Sequence, residues 1–173
     1  MFIQDASQIY MRVNGKVDAS RGLNDRRTSV CIPILTLLYQ PQPKRVGVIG
    51  LGSGLTLGVI AAAPRVEKAE CAELEPVVVD CDRYWAAFNR QALANPKSVV
   101  HEQDGRAFVL GSPEGFDAII SIPSNPWIAG IGNLYTRDFF DRSRQRLNPG
   151  GIYLQWCNLY AISLPDLLLV IKS

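Results

Sequence analysis

The segment Lys44-Arg45-Val46-Gly47-Val48-Ile49-Gly50-Leu51-Gly52-Ser53-Gly54 constrains this chain more than any other. A short apolar run leads directly into glycines at alternate positions, and a helix-like run follows from Leu55 to Ala63. That is a strand, a glycine loop and a helix in succession. Gly50, Gly52 and Gly54 permit a tight turn and let the backbone approach a ligand with no Cβ in the way. The helix start then presents N–H groups without intrahelical partners. The next apolar run, Lys68 to Ala72, ends in Glu73-Leu74-Glu75, about 20 residues beyond the glycines, where an acid holds the ribose hydroxyls in a nucleotide-binding βαβ unit.

The remaining sequence extends that unit in both directions. Ile9, Met11 and Val13 alternate with Tyr10 and Arg12 and run into Asn14-Gly15, which predicts a small β-hairpin. Residues 19–27 are polar and read as a loop. A helix is expected over 28–39, with Pro33 tolerated only near its first turn. The pattern then alternates: strand 45–49, helix 55–63, strand 67–72, helix 76–90 opened by Pro76, strand 98–102, a short helix over 105–110 and strand 116–121. A loop with Pro123, Pro126 and Gly130 precedes a helix over 136–147. Pro149-Gly150-Gly151, strand 152–156 and a helical run from Leu164 complete the chain. The expected fold class is α/β, a doubly wound and mostly parallel sheet preceded by a small N-terminal hairpin. The division is 1–27 for hairpin and loop and 28–173 for the ligand-binding domain. One apolar segment follows the fifth strand, so the C-terminal end reads as truncated, its sheet edge exposed, covered by a partner or continued in a longer protein.

Composition excludes several function classes. A net charge of +2 with scattered basic residues gives no nucleic-acid footprint. The concentrations over Arg21–Arg27 and Arg137–Arg146 read as a solvated loop and a solvated helix face. Cys31, Cys71, Cys81 and Cys157 show no C-x-x-C spacing, and His101 is the single histidine, so no metal site is expected. Reduced thiols and the lack of a signal peptide point to the cytoplasm. The longest membrane-like run, Val30–Tyr39, contains Pro33 and is about ten residues long, against the ~20 of a spanning helix. No membrane segment is expected.

In an open α/β sheet the ligand lies beyond the carboxyl ends of the strands. Four places in this chain fall there: the glycine loop, Glu73 with Glu75, Asp104-Gly105, and Ser121 to Trp127. A carboxylate at Glu73 can accept from both ribose hydroxyls, and one at Asp104 from an adenine amine. Each acid taken singly also fits a helix cap or a first-turn charge. The dinucleotide fingerprint G-x-G-x-x-G would put its last glycine at Leu55. The G-x-G-x-G found here instead suits S-adenosylmethionine and its relatives, which have no pyrophosphate to cradle.

As a set, these motifs resemble the spermidine synthase family and its spermidine-synthase-like relatives, within the class I methyltransferase-type Rossmann fold. The resemblance is carried by Asn14-Gly15, Pro43-Lys44-Arg45-Val46, the glycine loop, Glu73-Leu74-Glu75, Asp104-Gly105, Phe116 to Ile120, Ser124-Asn125-Pro126-Trp127, Leu134-Tyr135 to Phe140, and Pro149-Gly150-Gly151. It implies transfer of an aminopropyl group from decarboxylated S-adenosylmethionine to an amine acceptor, releasing methylthioadenosine. It implies that Gly50, Gly52 and Gly54 hold the thioether end, Glu73 the ribose and Asp104 the adenine amine; Ser53, Glu75 and Gly105 complete the set of ligand-binding candidates. A homodimer through the hairpin region is implied as well. Three positions depart from the family pattern: Ser53, Ile122 and Asn125 stand where acids usually do. An isoleucine can neither accept a proton nor orient an ammonium, so the nucleoside half of the site is expected intact and the polyamine half without its acids.

Asn125-Pro126-Trp127 also partly matches the loop with which amino-group methyltransferases receive the target amine. The catalytic candidates are therefore Ser121, Asn125 and Trp127, with Tyr135 and Tyr160 as residues that can line the mouth or belong to the core. Three readings compete: a spermidine-synthase-like transferase, an S-adenosylmethionine-dependent methyltransferase, and a non-catalytic module that keeps ligand or dimer contacts only. A nicotinamide oxidoreductase ranks fourth.

Overall fold

A computed structural model describes residues 2–172 apart from 6, 7, 14, 127, 129, 160 and 161. Its larger sheet has five strands: β4 (Arg45–Ile49), β5 (Lys68–Glu73), β6 (Ser98–Glu102), β7 (Phe116–Ser121) and β8 (Leu147–Gln155). Their order is β6-β5-β4-β7-β8, and every neighbouring pair is parallel. The order reverses at β4, whose two neighbours are β5 and β7. Helices α2 (Leu55–Ala61), α5 (Gly105–Gly111) and α6 (Arg137–Arg144) lie between successive strands, and α7 (Leu164–Lys172) follows β8.

Period-two alternation along the strands supplies two cores. Val46, Val48, Cys71 and Ile120 pack with Leu57 and Ile60 of α2 and with Trp85. Ile49, Ile119 and Phe116 pack with Phe108 and Phe139 on the opposite face. Both faces are covered, which is why these strands read as apolar runs in the sequence.

Before this sheet stands a three-stranded antiparallel sheet of β1 (Phe2–Asp5), β2 (Gln8–Val13) and β3 (Lys16–Ser20). The expected hairpin is β2–β3, and β1 is an additional strand. Asn14 lies outside the described residues. The β2–β3 register jumps from Arg12↔Val17 to Met11↔Ala19, which leaves Asp18 as the extra residue of a β-bulge.

Four boundaries differ from the sequence expectation. Helix α1 (Leu23–Tyr39) begins before 28 and runs through Pro33. Proline has no N–H to give the Ser29 carbonyl, and the Thr56 hydroxyl donates to that carbonyl instead at 3.1 Å. The single helix expected over 76–90 is two short turns, α3 (Pro76–Asp80) and α4 (Asp82–Trp85), followed by irregular chain with Arg90 and Gln91 at φ +64 and +55. The break seats the fully buried Asn89 under the glycine loop. Its Nδ2 donates to the Ser53 carbonyl at 3.0 Å and to Asp82 at 2.6 Å, and its Oδ1 accepts from the Ala92 N–H. Helix α6 ends at Arg144 rather than 147. Strand β8 starts at Leu147, ahead of Pro149-Gly150-Gly151. Its ladder to β7 skips from Phe116↔Leu147 to Ala118↔Ile152, so the glycines form a bulge opposite Asp117.

A buried ionic cluster ties β4, β5 and β6 together. Glu70 is 2% exposed and accepts from Arg45 Nε at 2.5 Å; Lys68 Nζ and His101 Nε2 each lie 3.1 Å from it. Arg45 also lies over the Phe116 ring at 4.0 Å. Burial alone would raise the Glu70 carboxyl, but the bonds from Arg45, Lys68 and His101 outweigh it and hold the group below its ordinary 4.5. A depressed carboxyl contributes stability above its unfolded value and loses it as pH falls through the folded one. Glu70→Gln should therefore cost about 2–3 kcal/mol at neutral pH. It should also give a shallower loss of stability below about pH 4.5 than the parent chain, as read from urea unfolding across pH.

Candidate functional site

The reversal of strand order at β4 forces the chain out of the sheet between β5 and β7. Gly50 N–H still donates to Ala72 of β5 at 2.9 Å, while the Ile49 carbonyl accepts from the Ile122 N–H beyond β7 at 3.0 Å. Gly50 turns with φ +91, and a Cβ there would lie 2.9 Å from the Ile122 carbonyl oxygen. Gly54, at φ +75, caps α2, and a Cβ on it would meet Asn89 Nδ2 at 2.7 Å. Gly52 is different. Its φ is +54, yet a Cβ would meet nothing nearer than Ala19 Cβ at 3.9 Å. Open space on this side of the loop is what close approach of a ligand requires.

That space belongs to a cleft of about 650 Å³ at the carboxyl ends of β4, β5 and β7, roofed by β3 and the start of α1. Glu73, at the end of β5, has both carboxylate oxygens anchored: Oε2 accepts from the Leu51 N–H at 2.9 Å and Oε1 from the Glu75 N–H at 3.0 Å. These bonds fix the carboxylate's orientation and leave it lone pairs for two further donors. Asp104 caps α5, its Oδ1 accepting from the Ala107 N–H at 2.9 Å. The cap uses one oxygen, so capping and ligand binding are compatible. Glu75 is exposed and not part of the cleft wall; its backbone N–H donates to Glu73. Gly105 lines the cleft, but its lack of a side chain answers to packing, since a Cβ would sit 2.3 Å from Ile49 Cγ2.

The β7 loop is less open than its sequence suggests. Ser121 is fully buried, and its carbonyl accepts from the Trp156 N–H at 2.8 Å. Asn125 is buried with its Oδ1 accepting from Asn158, whose own Oδ1 accepts from Trp156 Nε1 at 2.7 Å. Asn158 and Trp156 reach the cleft; Ser121 and Asn125 do not line it. Trp127 and Tyr160 lie outside the described residues. Tyr135 is buried away from the cleft with its hydroxyl donating to the Trp156 carbonyl at 3.1 Å, and burial pushes its phenol up to about 12. Ser53 and Ile122 line the cleft.

Two acids that the sequence reading treated as hairpin and loop residues face the same space. Asp18 stands on the β3 bulge and accepts from Ser124 Oγ at 2.6 Å. Asp25, in the first turn of α1, accepts from Ser20 Oγ. The cleft wall thus carries four carboxylates, Asp18, Asp25, Glu73 and Asp104, and among the described residues no lysine, arginine or histidine. Such a wall disfavours a pyrophosphate and favours a cationic ligand. No described group of three His, Cys, Asp or Glu side chains is arranged to hold a metal, and no described helix is long and apolar enough to cross a membrane.

A family model for the spermine/spermidine synthase domain matches residues 29–165. Putrescine N-methyltransferase 3 of Nicotiana tabacum is 36% identical over 113 residues, which make up 65% of this chain and 29% of that protein. The polyamine aminopropyltransferase of Nitrosomonas europaea is 36% identical over 119 residues, 68% of this chain and 36% of that protein. The chain spans about a third of the length of these curated relatives. A spermidine synthase solved with the transition-state analogue AdoDATO matches with a TM-score of 0.73 at 22% identity, over 84% of this chain and 49% of that one. Human methyltransferase-like protein 13, solved with SAH, matches with a TM-score of 0.58 at 19% identity, over 85% of this chain and 67% of that one. At these identities the solved structures bear on the fold alone.

The glycine loop makes a graded prediction. Gly50→Ala meets both the left-handed φ and the Ile122 carbonyl, whereas Gly52→Ala meets only the φ. Gly52→Ala should cost about 1–2 kcal/mol, and Gly50→Ala distinctly more, in urea unfolding.

Proposed function

From the premise that this chain belongs to the spermine/spermidine synthase family, we propose that its cleft binds an adenosyl-sulfur ligand and serves group transfer from sulfur. The ligand is S-adenosylmethionine or its decarboxylated form. In this reading Glu73 accepts from the ribose hydroxyls, Asp104 from the adenine amine, and the sulfur passes over Gly52 and Ser53. The observation that carries it is the wall of four carboxylates without a basic side chain among the described residues. A sulfonium gains from such a wall, while NAD would bring its pyrophosphate against it. Transfer from a sulfonium breaks a C–S bond to release a neutral thioether and forms a C–N bond on an amine that must shed a proton. The protein's part is to align that amine and to take up the proton.

The acceptor is an amine, but the β7 loop offers a polyamine no carboxylate: Ile122 is apolar, and Asn125 is held by Asn158. Methyl transfer is the second reading. It is favoured by the likeness to putrescine N-methyltransferase 3. A cytoplasmic homodimer held through the N-terminal sheet belongs to the same proposal.

Calorimetric titration with methylthioadenosine tests the ligand class. Binding in the micromolar range, about 8 kcal/mol, is expected for the parent chain, with NAD far weaker. Glu73→Ala should weaken binding by about 1.5–3 kcal/mol. A folded sample that binds neither methylthioadenosine nor S-adenosylmethionine would overturn the proposal.

A further inference from the structure

The cleft's sulfur end holds an acid that the glycine-loop and β7 motifs do not contain. Asp18 is the extra residue of the β2–β3 bulge, and bulges commonly re-aim a side chain beside a site. Its neighbour Ala19 is the nearest group to the open side of Gly52. Asp18 lines the cleft and faces the β7 loop through Ser124. Ser53 of the glycine loop, 8% exposed, lines the same cleft. The wall here holds carboxylates and hydroxyls but no described basic side chain. That chemistry receives an ammonium and gives a carboxylate no counter-charge.

We infer that Asp18, reaching across the cleft from the N-terminal sheet, receives the ammonium of the donor's aminoalkyl arm and selects a donor with an amine and no carboxylate. The inference rests on the adenosyl-sulfur reading of the cleft. It names the donor as decarboxylated S-adenosylmethionine and moves amine recognition away from positions 53, 122 and 125 to the hairpin. Asp18 is a specificity residue here: it touches the substrate's charged end and takes no part in breaking the C–S bond. The Ser124 hydroxyl, donating to Asp18 Oδ2, steadies the carboxylate. Asp25 adds a second negative charge on the same wall.

Two substitutions separate charge from stapling. Asp18→Asn keeps an oxygen for Ser124 to donate to and removes the charge. Ser124→Ala removes the staple and leaves the charge. Methylthioadenosine and decarboxylated S-adenosylmethionine share the adenosine, but the second adds both the sulfonium charge and the alkyl ammonium; S-adenosylmethionine carries the sulfonium too, so the preference between the two sulfonium donors is what reads the arm. Titrated by calorimetry, Asp18→Asn should bind methylthioadenosine as the parent does and lose about tenfold or more in affinity for the decarboxylated donor. Its preference for that donor over S-adenosylmethionine should shrink with it. Ser124→Ala should keep the preference. The inference fails, with the ligand reading intact, if Asp18→Asn weakens both ligands by the same factor, leaves both unchanged, or is copied by Ser124→Ala. If the parent chain binds neither adenosyl ligand, the ligand reading falls and takes this inference with it.

Discussion

The exit of the chain from β4 is the constraint on which the rest depends. β4 lies where the strand order reverses, so its last residues must satisfy β5 on one side and β7 on the other while the chain leaves between them. The Gly50 N–H bonds to Ala72 and the Ile49 carbonyl to Ile122, and the turn passes within contact of the Ile122 carbonyl. Everything nearby is indexed to that turn. It aims the Leu51 N–H at Glu73 and turns the Ser53 carbonyl toward Asn89. It also starts α2 at Gly54. Asn89 in turn requires the chain after α4 to fold back, at the expense of a longer helix.

The electrostatics of the cleft follow from topology rather than from any one motif. Its acids come from four places: a hairpin bulge, the first turn of α1, the end of β5 and the cap of α5. Arginines of the same sheet and of α5 are engaged away from the cleft. Arg45 is spent on Glu70 and the Phe116 ring at the opposite end of the strands, and Arg106 pairs with Asp138. A cleft lined in this way discriminates between ligand classes before any single hydrogen bond is considered, since its uniform sign acts on the ligand's total charge.

The middle of the larger sheet was legible because β4 and β7 are buried on both faces and so read as largely apolar runs. The glycine loop, Glu73 and Asp104 were legible because their spacing is local to βα units. What escaped was tertiary. Nothing within residues 76–90 announces that Asn89 will bond to the Ser53 carbonyl, and nothing near Pro33 announces that Thr56 will serve the carbonyl the proline leaves open. The polarity of Asn125 was plain, but its engagement by Asn158, 33 residues on, was not. Asp18 was hidden by register: the alternation over 7–18 predicts a hairpin, and the bulge that makes Asp18 its extra residue is not signalled in it.

A crystal structure of the chain grown with saturating methylthioadenosine tests the central claim most directly. The account predicts the ribose hydroxyls on Glu73, the adenine amine at Asp104 and the thioether over Gly52. An adenosine bound with its ribose clear of Glu73, or bound outside the cleft, would contradict it.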